Sequence, residues 1–211
     1  MNIINGKAEI VTPSSQEEWV REAKYIELVA RNCYKSEDKI TEDSYKKFIK
    51  MLKDNNHHAM IEFGRMIVKL TTDRGILAEL TRHRLASYAV ESTRYCNYSK
   101  DKFNNEITVV RPSLNNKSME YALWEHSCRN AEKFYFDLLG HEISPQLARS
   151  VLPNSLKTEI YISCNFREWM HIFKLRCISK AAHPDFRQLL KPLYKEVREI
   201  LPEVFDLGDM E

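Results

Sequence analysis

A chain of 211 residues is long enough to bury a full core in one sizeable domain. Its 32 lysines and arginines stand against 30 aspartates and glutamates, so the net charge of +2 argues against a broad nucleic-acid-binding face and confines any anion site to a local cluster. No stretch reaches the length of a membrane span, and the first residues lack the basic-then-apolar layout of a secretory leader. Five cysteines are dispersed without a Cys-x-x-Cys pair, the pattern of reduced thiols in a cytoplasmic protein rather than of a disulfide framework or a zinc site. The five glycines form no phosphate-cradling loop.

No repeat or linker interrupts the pattern, so residues 1–211 are expected to form a single domain. Ser15-x-x-Glu18 predicts a capping box that opens a helix with Trp19, Ala23, Ile26, Ala30 and Cys33 on one face. Tyr45, Phe48, Ile49 and Leu52 mark a short second helix, ended by the polar run Asp54-Asn55-Asn56-His57-His58. Met66, Val68 and Leu70 alternate as a half-buried strand does. Asp73 offers an N-cap for a helix with Ile76, Leu77 and Leu80 inward, running into Arg82-His83-Arg84. Ile107 to Val110 reads as another strand, closed by Arg111-Pro112. The longest helix should start near Ser118 and carry Met119, Leu123, Phe134 and Leu138. Ser144-Pro145 opens a short helix that Pro153 ends. Thr158 to Cys164 alternates as a strand, and Asn165-x-x-Glu168 then caps a helix burying Trp169, Ile172 and Phe173. After His183-Pro184 a last helix buries Phe186, Leu189, Leu190, Leu193, Val197 and Ile200, with a kink expected at Pro192. Few strands, separated by helical pairs, imply an α+β fold with a small, mainly antiparallel sheet; the strand order is not written in the pattern.

The segment from Arg82 to Tyr95 concentrates Arg82, His83, Arg84, Ser87, Ser92 and Arg94, with few carboxylates to neutralise them. Planar forks and hydroxyls in this density suit a ligand rich in phosphate and carbonyl oxygen. At a helix end, adjacent residues diverge by about 100°, so the triplet would serve two ligands or one ligand bridging two subunits. The three cations alone would also suit a helix C-terminus; Ser92 and Arg94 tip the reading towards a site. Arg176 falls three residues after Phe173, four after Ile172 and seven after Trp169, on the apolar stripe of its helix. A guanidinium there needs an anion or carbonyl partner, or must snorkel to the surface. Arg167 and His171, four apart, lie on a more polar face, and capping alone accounts for Asn165. Arg149 reads as surface. His57 and His58 point apart and suggest no metal. None of the cysteines sits next to a helix start in a cationic cluster; Cys96, two residues after Arg94, comes closest, and Cys33, Cys164 and Cys177 read as buried packing.

The order Arg-His-Arg, seven residues, Ser92, then Arg94-Tyr95 resembles the signature of the flavin-dependent thymidylate synthases. The match in motif order extends over roughly residues 45 to 190. The resemblance implies an α+β fold in four subunits with active sites shared at their interfaces. It also implies reductive methylation of dUMP to dTMP, with FAD as redox cofactor, methylenetetrahydrofolate as carbon donor and NADPH as reductant. Neither a metal, a nucleic acid nor a membrane is implied. His57, Arg82, His83, Arg84, Asn165, Arg167 and His171 match flavin-contacting positions. Glu79, Arg82, Glu91, Ser92, Arg94, Arg149 and Arg176 match dUMP-contacting ones, with Arg176 at the arginine that stabilises an N3-deprotonated uracil. Glu79 stands where the family often has Gln. Ala89-Val90 stand where Asn-Glu is commonest, with the acid at Glu91 instead; contacts by that Glu side chain do not carry over, whereas main-chain contacts can. Two other readings use the same residues. One is a non-catalytic nucleotide- or RNA-binding module with Tyr88, Tyr95 and Tyr98 stacking on bases. The other is a classical enzyme attacking uracil C6 with Cys96.

Overall fold

The computed structural model describes residues 1–210 and, within them, every side chain except that of Lys102. The fold is α+β. In chain order the elements are β1 (Asn2–Ile4), β2 (Lys7–Thr12), α1 (Gln16–Asn32), α2 (Ser44–Asp54), β3 (Arg65–Asp73), α3 (Arg74–Leu80), β4 (Ala86–Val90), β5 (Thr108–Val110), α4 (Met119–Gly140), α5 (Pro145–Ala148), β6 (Lys157–Asn165), α6 (Phe166–Phe173), α7 (Pro184–Ile200) and α8 (Pro202–Phe205). Between α6 and α7 the chain makes one π-helical turn, Lys174–Ile178. Four strands form an antiparallel sheet in the order β2-β3-β6-β4. β1 and β5 form a separate parallel pair, Ile3 facing Val109.

The helix starts follow from capping chemistry. Ser15, Asp73, Ser118 and Asn165 each take an extended backbone and accept a hydrogen bond from the amide three residues on. At α1 the Glu18 carboxylate reaches back mainly to the Ser14 amide and hydroxyl, with a weaker contribution from the Ser15 amide. In β3 and β6 burial alternates strictly, with Met66, Val68, Leu70 and Thr72 inward on one and Thr158, Ile160, Ile162 and Cys164 on the other.

The chain divides into two compact units that alternate along the sequence. The first comprises Met1–Lys7, Leu70–Arg82 and Ala89–Ile160; the second comprises Ala8–Lys69, His83–Tyr88 and Tyr161–Glu211. The first unit centres on Tyr98, Ile107, Val109, Cys128, Tyr135, Ala148 and Leu156. Its N-terminal ammonium is held by Glu106 at 3.0 Å and Glu132 at 3.1 Å. The second unit is built around aromatic rings. Trp19 stacks on Phe166 at 5.7 Å, Phe166 meets Phe205 edge-on at 5.2 Å, and the Trp169 indole donates to the Met66 carbonyl. Gly64 makes this packing possible: a Cβ there would lie 2.4 Å from Phe166 Cδ2, while the Phe166 amide donates to the Gly64 carbonyl.

Four expectations need correction. α1 ends at Asn32, so Cys33 falls off the buried face and is exposed. α4 buries Tyr121, Cys128 and Tyr135, seven residues apart, and leaves Met119, Leu123 and Phe134 exposed on another face. Arg82-His83-Arg84 do not continue a helix: α3 stops at Leu80, and the triplet lies in the turn leading to β4. Ile200 is only partly buried at the end of α7. The parallel pair of β1 with β5, and the strand β4 inside the Arg82–Tyr95 segment, have no counterpart in the sequence reading.

Candidate active site

In the first unit a tight turn follows β4. The Ser92 hydroxyl accepts from the Arg94 amide at 3.3 Å, and the Ser92 carbonyl accepts from the amides of Tyr95 and Cys96. The Arg94 side chain is exposed, its guanidinium 5.4 Å from the Tyr95 ring centroid. Arg149, distant in sequence, donates to the Thr93 hydroxyl at 3.0 Å. Ser92, Arg94 and Arg149 thus converge at one turn. Two fastenings hold that turn from behind. Both terminal nitrogens of Arg74 donate to the Glu91 carbonyl at 3.2 Å. The Glu91 carboxylate takes Lys157 at 3.0 Å and the Glu159 amide at 3.2 Å. The side chain of Glu91 is therefore committed inside the unit. Glu79, on α3, and Arg82, exposed beyond it, belong to the same unit.

In the second unit the centre is His83, 5% exposed. Its Nδ1 lies 3.1 Å from Glu168 Oε1, and its Nε2 accepts from Arg176 Nε at 3.3 Å. That acceptance is possible only if Nε2 carries no proton, so the ring is neutral with its hydrogen on Nδ1, donated to Glu168. Burial, the largest influence, pulls the imidazole below its ordinary value of 6.5, Arg176 and His171 add to this, and Glu168 opposes them. Glu168 is placed by α6, whose N-cap Asn165 accepts the Glu168 amide at 2.8 Å. Arg176 sits in the π-helical turn, a distortion often found at functional sites, with its guanidinium 5.7 Å from the Phe186 ring. His171 is exposed and meets the His83 ring edge-on at 5.6 Å. The Tyr88 hydroxyl donates to the His83 carbonyl at 2.6 Å; burial pushes this phenol up to about 12, so it stays a donor.

Other positions fall nearby in sequence but do different work. Arg84 is exposed beside the buried His83, so the triplet alternates out, in, out instead of fanning around an axis. Arg167 is exposed and paired with Glu62. Asn165 spends its side-chain oxygen on the cap. His57 is exposed and lines an apolar cavity of about 510 Å³ with Cys33, Tyr34, Phe48 and Met51 among others. His83, Glu168 and His171 have ligand atoms within 4.8 Å of one another, the spacing of a metal group. The Arg176 guanidinium on His83 Nε2 and the carboxylate on Nδ1 mark it instead as a hydrogen-bond network. Sequence reading missed Glu168, Thr93, Arg74 and Lys157. Glu168 alone had a signal, being a carboxylate directly before the buried Trp169, yet capping explained it away.

The family described as "Thymidylate synthase complementing protein" matches residues 17–203. The chain belongs to this family. Among curated relatives, the flavin-dependent thymidylate synthase of Geobacter sulfurreducens is 27% identical over 85% of the chain and 79% of that protein. That of Pyrococcus abyssi is 30% identical over 76% of the chain and 65% of that protein. Among solved structures, a UMP/dUMP methylase from Streptomyces cacaoi bound with 5-Br dUMP superposes with a TM-score of 0.78 at 20% identity, covering 98% and 96% of the two chains. Thymidylate synthase X from Helicobacter pylori, with FAD and dUMP, gives 0.74 at 22% identity over 95% and 97%. At these identities the likeness shows the fold. The family match also agrees with the motif order of the Arg82–Tyr95 segment.

Proposed function

We propose that this member of the family methylates dUMP reductively to dTMP, as a flavin-dependent thymidylate synthase. The observation that carries the reading is the arginine fork at Arg176, fastened through Nε by His83 in a family-matched helix. Uracil C5 is a poor nucleophile, and a fork positioned against the pyrimidine stabilises the negative charge that its reaction needs. Ser92, Arg94 and Arg149, gathered at one turn, supply hydroxyl and guanidinium donors for a nucleotide phosphate and sugar.

The donor set fits FAD in its chemistry. Arg82, Arg84, Arg167 and His171 are exposed cations or donors suited to a pyrophosphate and a flavin edge, and His57 borders an apolar cavity. Both ring nitrogens of His83 and its main-chain carbonyl are already engaged within the protein, which fixes this residue beneath the exposed donors. Bound FAD would supply the redox chemistry, with NADPH as reductant and methylenetetrahydrofolate as carbon donor. No described helix is long and apolar enough to cross a membrane, and we place the reaction in the cytoplasm.

We infer a homotetramer with shared sites, and α4 supports it: exposed Met119, Leu123 and Phe134 lie four and eleven residues apart on one stripe, apolar surface that a partner subunit would cover. The binding-module alternative loses its stacking platform, because Tyr98 is buried and Tyr88 is bonded to His83, leaving Tyr95 as the exposed ring of the three. The test is direct: purified protein should be yellow and release FAD on denaturation, and should form dTMP from dUMP only with methylenetetrahydrofolate and NADPH present. A protein that neither takes up FAD nor forms dTMP would sink the reading.

A further inference from the structure

Glu91, the first residue past β4, engages its amide, its carbonyl and its carboxylate inside the first unit. The amide donates to the Glu159 carbonyl at 2.8 Å. The carboxylate accepts from the Lys157 ammonium at 3.0 Å and from the Glu159 amide at 3.2 Å. The carbonyl accepts from both terminal nitrogens of Arg74, each at 3.2 Å. Arg74 is itself tied down: its amide donates to the Asn154 carbonyl at 2.9 Å, and the buried Tyr98 lies close enough to feel the charges of both Arg74 and Glu91. Beyond Glu91 the chain bonds mostly within its own turn, and Arg94 and Tyr95 are exposed. It is caught again at Cys96 and Tyr98, which pack into the apolar cluster of the unit. Glu91 is therefore the fixed end from which the turn projects.

A carbonyl fixed in direction fixes more than itself. The peptide between Glu91 and Ser92 is planar and trans, so the Ser92 amide points to the side opposite Arg74. A turn held only by its own hydrogen bonds samples several orientations, and a ligand that must select one of them binds more weakly. We infer that Arg74, with the Glu91–Lys157 pair beside it, is a positioning residue of the nucleotide site, an assignment that rests on the proposed binding of dUMP at this turn. Arg74 sets the plane of the Glu91–Ser92 peptide, and thereby the direction from which Ser92 and Arg94 meet the phosphate and sugar. Glu91 gains a role different from the one its motif position implies. Its side chain serves Lys157 and the Glu159 amide, and it serves the nucleotide through its main chain.

Arginine suits this task because its two terminal N–H groups reach both lone pairs of one carbonyl, where a lysine ammonium makes a single point contact. Arg74→Lys keeps the charge and loses the fork. It should weaken dUMP binding about tenfold and leave FAD loading unchanged. The loss should pass through the turn. In an Arg94→Ala protein less remains to be positioned, so adding Arg74→Lys there should cost only about twofold. Lys157→Gln loosens the Glu91 carboxylate and should act in the same direction, by about threefold, with the same dependence on Arg94. A residue that merely supported the core would cost the same affinity in both backgrounds.

The experiment is dUMP titration of the FAD-loaded protein by calorimetry, for wild type, Arg74→Lys, Arg94→Ala and the double variant, with flavin absorbance checking that each is loaded. Loss of affinity in Arg94→Ala supports the nucleotide reading on which the assignment rests; unchanged affinity there removes both. If Arg94→Ala loses affinity while Arg74→Lys binds as the wild type does, Arg74 positions nothing and the function stands. A loss from Arg74→Lys that is equal in the two backgrounds also overturns the assignment, because the effect then bypasses the turn. Should Arg74→Lys not fold or not load, Lys157→Gln takes its place in the same cycle. A loss confined to the background that retains Arg94 supports the assignment, and an equal loss in both, or none, overturns it.

Discussion

Arg176 and Cys96 separate two ways of activating a pyrimidine. If the arginine stabilises the uracil anion, Arg176→Lys loses the planar fork and the Nε contact with His83, and dTMP formation should fall on the order of 10²-fold. Cys96→Ala should keep most of its activity, because the thiol packs against the apolar cluster around Tyr98 and Tyr135. A Cys96→Ala protein that binds flavin yet forms no dTMP would reverse this assignment. His83 also carries a stability signature. Its folded ionisation lies below the ordinary 6.5, so the unfolded chain takes up the proton first as pH falls. The contribution is complete above 6.5 and is lost below it, down through the folded value. The urea midpoint should accordingly drop between pH 7.5 and 5.5; a midpoint that rises over this range would contradict a buried neutral ring.

At the scale of elements, the approach of Phe166 to the chain before β3 sets where α6 begins, and with it Asn165, Glu168 and the downstream Arg176. Gly64 permits that approach. Gly64→Ala should cost about 1–3 kcal/mol by overpacking, measured as a lower denaturation midpoint. A wild-type midpoint would show that Phe166 can move aside. The strand β4 matters in a different way. By ending the helix at Leu80 and re-extending the chain, it buries His83 and turns Arg82 and Arg84 outward. An uninterrupted helix would have spread the three side chains around its axis.

For the whole molecule, the exposed stripe of Met119, Leu123 and Phe134 on α4 predicts association. Light scattering of the wild type should give a tetramer mass, and the double substitution Leu123→Glu with Phe134→Glu should lower it. The exposed positions contribute nothing to the core of their own unit, so the variant should remain folded by circular dichroism. A wild-type monomer at active concentrations would remove the case for shared sites.

What the sequence determined by itself was local and periodic. Ser15, Asp73, Ser118 and Asn165 announce their helices because a side-chain oxygen and an amide three residues on suffice for a cap. The alternation in β3 and β6, and the family motif with Arg82, His83, Arg84, Ser92 and Arg94, were equally legible, since each is a fixed spacing along one stretch of chain. Only tertiary structure decided the rest. One partner of the half-buried Arg176 proved to be His83, 93 residues away, and Glu168 reached His83 across 85. Arg149 found Thr93 across 56. No periodicity encodes such pairs, because they depend on how β3, β6 and α6 stack. The outward face of α4 was misjudged for the same reason: a helix with Tyr121, Cys128 and Tyr135 on one side and Met119, Leu123 and Phe134 on another presents two apolar stripes, and the side that is buried is chosen by the neighbours it packs against.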